Sequence, residues 1–476
     1  MPIRNSIKDK GPPMKILIKN GLVVNSNLSA PMDILIQDEK IVALLHPGVP
    51  SNFDLTEAEI VDAQGMHVLP GGVDPHCHIG FSSGQFSSLD NYEQATRAAV
   101  CGGTTTIVDF AIPEKGETSL EALFRQKARI SNSFCDSAMH GCIIDFQEDI
   151  AGVIRTFEAN GVRTVKMFTT YPNEVMANSE TIMQVMKELI KVGGLVYVHC
   201  ESDHIIRENQ QVALEISQIS SAFHHQTRSE LAETSSVIEL LAMAETLEAP
   251  IYFVHQSSRE AVDQVSHAKF TGLKAFSEAV LHHLVLDDSV YKSQSSERFV
   301  CCPPIRSRTT VNQLHKVLIN GDIDTLGSDH CCYSVEQKEM FKHDVRYMPN
   351  GLPGVETRIP VGLSKLVIDA GLSIERFVAI SSTNPAKLNG LFPRKGVIAP
   401  GSDADLVIWD LRFEGTVNTN NLHMATDYTP YEGMDLRVKH IATYVRGNLV
   451  ASNSEPIENN KIGKFLHAKK LEFNVK

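Results

Sequence analysis

The sequence predicts an α/β fold, a (β/α)8 TIM barrel carrying a small β-sandwich domain built from both chain ends. Three observations predict it. Between residues 69 and 397, eight short apolar runs with strand character alternate with amphipathic stretches. Most of those runs end in a polar or metal-competent side chain, namely His76 and His78, Asp109, Lys166, His199, His255, Glu278 and Asp329. In a barrel the C-terminal ends of all strands converge on one mouth, so these residues would meet in space. Finally, both termini carry further β-like segments that could pair with each other.

Taken in order, residues 1–13 read as a flexible extension. Over 14–68 the runs KILIKNGLVV, MDILIQ and KIVALL are rich in Ile, Leu and Val and are separated by polar turns, as strands require. The barrel over 69–397 draws its strands from VLPGGVDPH, TTTIVDFAI, AMHGCII, RTVKMF, LVYVHC, IYFVHQ, LKAFSE and DTLGSD. Between them, SETIMQVMKELIKVGG and ELAETSSVIELLAMAETLEA show apolar spacing of helical period. A doubly wound open sheet is the alternative, but no GxGxxG follows the first strand. Over 398–452, SDADLVIWDL and KHIATYVRGNLVAS complete the sandwich, with Arg446-Gly447-Asn448 as a hairpin turn, and 453–476 form a C-terminal tail.

Composition narrows the function classes. A net charge of −13 argues against nucleic acid, which needs a basic face. No apolar run is long enough to span a bilayer, and the first residues lack the apolar core of a secretory signal. Nine cysteines, with two adjacent pairs (Cys301-Cys302 and Cys331-Cys332) and no CxxC, point to free thiols in a reducing cytoplasm.

The chemistry lies in the strand-end residues. In His76-Cys77-His78 an extended strand puts both imidazoles on one side and turns Cys77 away. Two such nitrogens can grip a cation, although the pattern alone is weak. His199 follows LVYV and His255 follows IYFV; either one alone would read as a hydrogen-bonded core histidine, but with the first pair they form a candidate ligand set. Asp329 can bind a cation and accept a proton from water, with its neighbour His330 as a competing ligand. Lys166 lies inside TVKMF, where an unpaired ammonium is costly. Desolvation favours its neutral amine, which can take up carbon dioxide as a carbamate able to bridge two metal ions. A snorkelling structural lysine is the alternative.

This set resembles the amidohydrolase superfamily, and specifically its dihydropyrimidinase and D-hydantoinase family. The resemblance rests on Gly71-Gly72-Val73-Asp74-Pro75-His76-Cys77-His78, on Lys166 with Tyr171, and on Pro349-Asn350-Gly351-Leu352-Pro353-Gly354-Val355-Glu356. It also rests on Ser382-Thr383-Asn384-Pro385-Ala386-Lys387 and on Ala399-Pro400-Gly401-Ser402-Asp403-Ala404-Asp405, and spans about 14 to 465.

The resemblance implies two divalent ions, usually zinc, and a hydroxide bridging them. One ion would take His76, His78, carboxylated Lys166 (N6-carboxylysine) and Asp329; the other would take carboxylated Lys166, His199 and His255. It further implies that the hydroxide attacks a ring amide, that Asp329 shuttles the proton, and that Tyr171 stabilises the oxyanion. Backbone groups at Cys302 and Asn350 would hold the imide edge of a small cyclic amide, and a homo-oligomer, tetramer or dimer, is implied as well.

The chain departs from the family at Cys302, where serine is usual, and at Ser277-Glu278-Ala279-Val280, which stands for the common Glu-Thr-Cys-Pro. The loops Phe81–Leu89 and Thr170–Ala177 differ most, which leaves substrate choice open. Dihydroorotase is disfavoured because Gly80 stands where its HxHxR pattern has arginine. Allantoinase is the runner-up, and a metal-free structural relative is the non-enzyme alternative.

Overall fold

The computed structural model describes residues 14–48, 53–144 and 149–475, so the extension expected over 1–13 lies outside the described residues. Eight parallel strands follow one another in chain order: β1 Gly72–Cys77, β2 Thr104–Phe110, β3 Asp136–Cys142, β4 Thr164–Phe168, β5 Leu195–His199, β6 Ile251–Phe253, β7 Ala275–Val280 and β8 Thr325–Gly327. Each corresponds to one of the predicted runs. All their residues are buried, which is why they read as continuous apolar runs rather than as alternation.

Just past the end of β8, the barrel is drawn together against β1. The Ser328 amide donates to Asp74 Oδ1 at 3.1 Å, and the His78 amide donates to the His330 carbonyl at 2.8 Å. The sheet is thereby nearly closed into a barrel.

Helices α1 Tyr92–Cys101, α2 Ser119–Ala128, α3 Ile150–Ala159, α4 Ser179–Lys191, α5 Asp203–Glu215, α6 Glu230–Leu247, α7 Arg259–Phe270 and α8 Arg308–Asn320 lie between the strands. In α4, Asn178 caps the first turn by accepting from the Thr181 amide, and Ile182, Val185, Met186 and Leu189 form the buried stripe.

Both chain ends enter one nine-stranded mixed sheet. Its seam is the antiparallel pair His67–Pro70 and Leu406–Asp410, so the N-terminal strands meet the C-terminal ones directly. Ile16, Ile18, Ile34 and Ile36 pack with Leu406 and Ile408 on one face, while Leu17, Leu35 and Ala43 cluster separately.

A buried ionic cluster ties this sheet to the barrel. The Lys395 ammonium lies 2.7 Å from Asp136 at the start of β3, 2.8 Å from Asp405 and 3.0 Å from Asp403, and Arg446 also pairs with Asp136. The C-terminal tail is held as well: Leu466 donates to the Ser137 carbonyl at 2.7 Å, and Leu471 packs with Tyr197 and Tyr252.

Candidate metal centre and substrate pocket

Each ligating candidate sits at or just beyond the C-terminal end of a barrel strand. His76 lies within β1 and His78 one residue past it, Lys166 lies in β4, and His199 ends β5. His255 and Asp329 lie two residues past β6 and β8. His255, Asp329 and Tyr171 have φ values of 37°, 49° and 69°, left-handed conformations that non-glycine residues adopt at a cost. These turns aim the side chains into the mouth instead of continuing the strand.

The donor atoms converge. His76 Nε2 lies 3.2 Å from His78 Nε2, and Asp329 Oδ1 lies 3.0 Å from the first and 3.2 Å from the second. His199 Nδ1 lies 3.0 Å from His255 Nε2, and one ligand atom each of His76, His255 and Asp329 lies within 4.8 Å of the others. Lys166 is 1% exposed, with its ammonium 4.9 Å from the Phe110 ring centre and 4.8 Å from that of Phe168.

The electrostatics suit a cation. Burial opposes protonation of His76, but Glu278 and Asp329 outweigh it and raise its pKa to about 9. Burial lowers His78 to about 4. Burial also lowers Lys166, to about 8, against the pull of Asp329 and Glu278. A neutral amine is therefore within easy reach at Lys166.

Imidazole nitrogens and a carboxylate oxygen are the donors that zinc and similar divalent ions take. Nitrogens packed this closely, beside an amine that can become a carbamate, fit a pair of such ions. Cys77 points away, its thiol 3.7 Å from the Ser328 hydroxyl. His330 also faces outward. Its Nε2 donates to Asp90 Oδ2 at 2.5 Å, and its Nδ1 accepts from the Gly354 amide at 3.1 Å. It is thus committed to supporting the 349–356 loop, and Asp329 is the strand-end residue that faces the histidines.

Partners of the candidate ligands complete the site. His76 Nδ1 donates to Glu278 Oε1 at 2.7 Å, and His199 Nε2 donates to Glu201 Oε2 at 2.8 Å. Such contacts fix the ring tautomer and turn the other nitrogen toward the centre. Burial would raise the Glu201 pKa, but the buried Arg228 guanidinium, the His199 hydrogen bond and Arg306 hold it at about 2. The sequence singles out neither Glu201 nor Arg228, although Glu201 follows His199 at the same-face spacing of two. Glu278 reads in the sequence as a strand end, and its partner His76 is set only by the fold.

Beside the centre lies a cavity of about 540 Å³ that Lys166, Asp329, Tyr171, Cys302 and Asn350 all line. Arg228 stacks 5.0 Å from the Tyr171 ring centre, and Asn350 Oδ1 is buried without a hydrogen-bond partner. Phe81 and Phe86 form one wall and Val175 another, from the two loops that the sequence marked as variable. Met176 is not among the lining residues; its backbone bridges to Phe168 instead. A third wall is formed by Phe341 and Val345–Met348.

Comparison with known proteins agrees with this geometry. Residues 67–450 match the model of the amidohydrolase family. The chain is 34% identical over 448 residues to the D-hydantoinase of Geobacillus stearothermophilus, covering 93% of this chain and 94% of that protein. It is 33% identical over 445 residues to the dihydropyrimidinase of Rattus norvegicus, covering 92% of this chain and 86% of the relative. The crystal structure of dihydropyrimidinase from Brevibacillus agri superimposes with a TM-score of 0.92 at 32% identity, covering 96% of this chain and 100% of that one. The L-hydantoinase of Arthrobacter aurescens superimposes at 0.85 with 28% identity, over 94% and 99% of the two chains. The chain belongs to the amidohydrolase family, in the group that holds the D-hydantoinases and dihydropyrimidinases.

Proposed function

We propose that this chain hydrolyses the ring amide of 5,6-dihydropyrimidines and 5-monosubstituted hydantoins, releasing N-carbamoyl amino acids. The observation that carries this reading is the convergence of His76, His78 and Asp329 with His199 and His255 beside buried Lys166, at one end of a substrate-sized cavity. Two divalent ions, zinc in this reading, would be held by those residues, with Lys166 carboxylated by carbon dioxide between them. Bound there, the ions supply Lewis acidity and a water made nucleophilic near neutral pH.

The protein's own groups do the rest. Asp329 takes the proton of the attacking water and returns it to the departing ring nitrogen. The Tyr171 hydroxyl donates to the oxygen on which charge develops, a contact worth roughly 3–4 kcal/mol. Backbone groups at Cys302 and Asn350 hold the imide edge of the ring, and the walls from Phe81 and Val175 receive its substituent.

All nine cysteines are buried and none is in a disulfide, which fits a cytoplasmic enzyme. Among the described residues no helix is long and apolar enough to cross a membrane. A homo-oligomer, tetramer or dimer, is part of the same reading.

The test combines elemental analysis of protein purified without chelator with assays on dihydrouracil, hydantoin and allantoin. Close to two ions per chain are expected, and Lys166→Ala should lose both metal and turnover. A ratio near zero or one in active enzyme overturns the binuclear reading. Full activity of Lys166→Ala overturns the carbamate, and hydrolysis of allantoin alone replaces the substrate class.

A further inference from the structure

We propose that His282, His283 and Cys301 form a third metal site, separate from the barrel-mouth ligands and suited to a soft, thiophilic ion. The two histidines lie in the short helix Leu281–Val285 that follows β7, and Cys301 lies in the segment that leads into Cys302 on the cavity wall. One ligand atom from each of the three lies within 4.8 Å of the other two, and each side chain is 1% exposed.

Both ring nitrogens of His282 and Nδ1 of His283 have no hydrogen-bond partner. An imidazole always carries at least one N–H, so a fully buried ring with neither nitrogen paired leaves polar groups unsatisfied, which is costly in a dry interior. The two rings lie 4.5 Å apart at 70°, so their edges can address one point. Two other clusters of potential ligands, each with one histidine, one cysteine and one carboxylate, differ in this respect. In Asp90–His330–Cys332, His330 is hydrogen-bonded through both nitrogens, to Asp90 and to the Gly354 amide. In Cys101–Glu356–His423, His423 is likewise paired with Glu356 and Glu455. Of these three clusters, the one at His282 has open imidazole nitrogens.

Two imidazoles and a thiol select ions that favour sulfur and imidazole nitrogen, such as cadmium or copper(I), over hard oxygen-seeking ones. The Cys301 thiol now donates to the Pro303 carbonyl at 3.3 Å, and His283 Nε2 donates to the same oxygen at 3.0 Å. Binding breaks the S–H bond, forms an S–metal bond and releases one proton to solvent, with no change of oxidation state.

The test is a Cd²⁺ titration of the holoenzyme, followed by the thiolate-to-cadmium charge-transfer band in the ultraviolet. The wild type should bind a single additional cadmium ion per chain with that band. Cys301→Ser should abolish the band, and His282→Gln should weaken binding roughly tenfold or more. Lys166→Ala should keep it, which separates this site from the proposed mouth centre. Because a core variant can fail to fold, anomalous diffraction from a cadmium-soaked wild-type crystal gives an independent answer. A peak among the three side chains supports the site. A band unchanged in Cys301→Ser, or peaks only at the mouth or at other cysteines, overturns it.

Discussion

His76 and Glu278, 202 residues apart in the chain, meet through a 2.7 Å hydrogen bond with neither side chain exposed. Glu278 is itself held by the Tyr252 hydroxyl at 2.8 Å. Gly327 leaves the room: a Cβ there would lie 2.7 Å from Glu278 Oε1 and 3.2 Å from His76 Cβ. The contact keeps a proton on His76 Nδ1 and presents Nε2 to Asp329 and His78.

Glu278→Gln should therefore weaken metal retention about 10–100-fold, because the partner that fixes the His76 tautomer loses its charge. Dialysis against a graded series of chelator concentrations, with metal read by elemental analysis, measures this. Unchanged retention would show that the Glu278 charge does not support His76 as a ligand.

Asp329→Asn should retain much of its fold and part of its metal but lose kcat by about 10²–10⁴-fold, the range of a removed acid–base group. Steady-state kinetics on protein of known metal content checks it. Near-normal turnover with metal in place would move the base to a group other than Asp329.

Glu201 sets an acid limit on stability. Its pKa is about 2 in the folded protein against an ordinary 4.5, so it binds protons less readily folded than unfolded. Its stabilising contribution is complete above about pH 4.5 and is lost as pH falls toward 2. Glu201→Gln leaves buried Arg228 uncompensated and should cost about 3–5 kcal/mol at neutral pH. Urea unfolding at stepped pH should show the gap between variant and wild type narrowing below pH 4.5. A gap that stays constant from neutral pH to pH 3 would show that the carboxylate charge is not what Glu201 contributes.

Substrate choice should be permissive. The walls around the proposed substituent pocket are largely apolar, from Phe81, Phe86, Val175 and Phe341, and such walls discriminate by only about 1–3 kcal/mol per methylene-sized change. A kcat/KM series over dihydrouracil and over hydantoins bearing hydrogen, methyl, isopropyl and phenyl checks this. A preference above roughly 10³-fold for one member would contradict it.

The sequence alone determined the strands, the residue types at their ends and the alternation that makes a barrel. A fully buried parallel strand must be a short apolar run, and a polar residue ending such a run stands out. His76, His78, Lys166, His199, His255 and Asp329 were legible for that reason, each from its own few neighbours. Tertiary structure decided what those neighbours do not encode. His330 turns to Asp90 because the chain leaves β8 with Asp329 in a left-handed conformation, an orientation that strand period does not fix. The Glu278 and Arg228 contacts arise only when barrel closure brings distant strands and loops together. The wall at Phe341–Met348 and the tail from Leu466 to Leu471 likewise take their places by packing against the barrel, since neither carries a periodic pattern of its own.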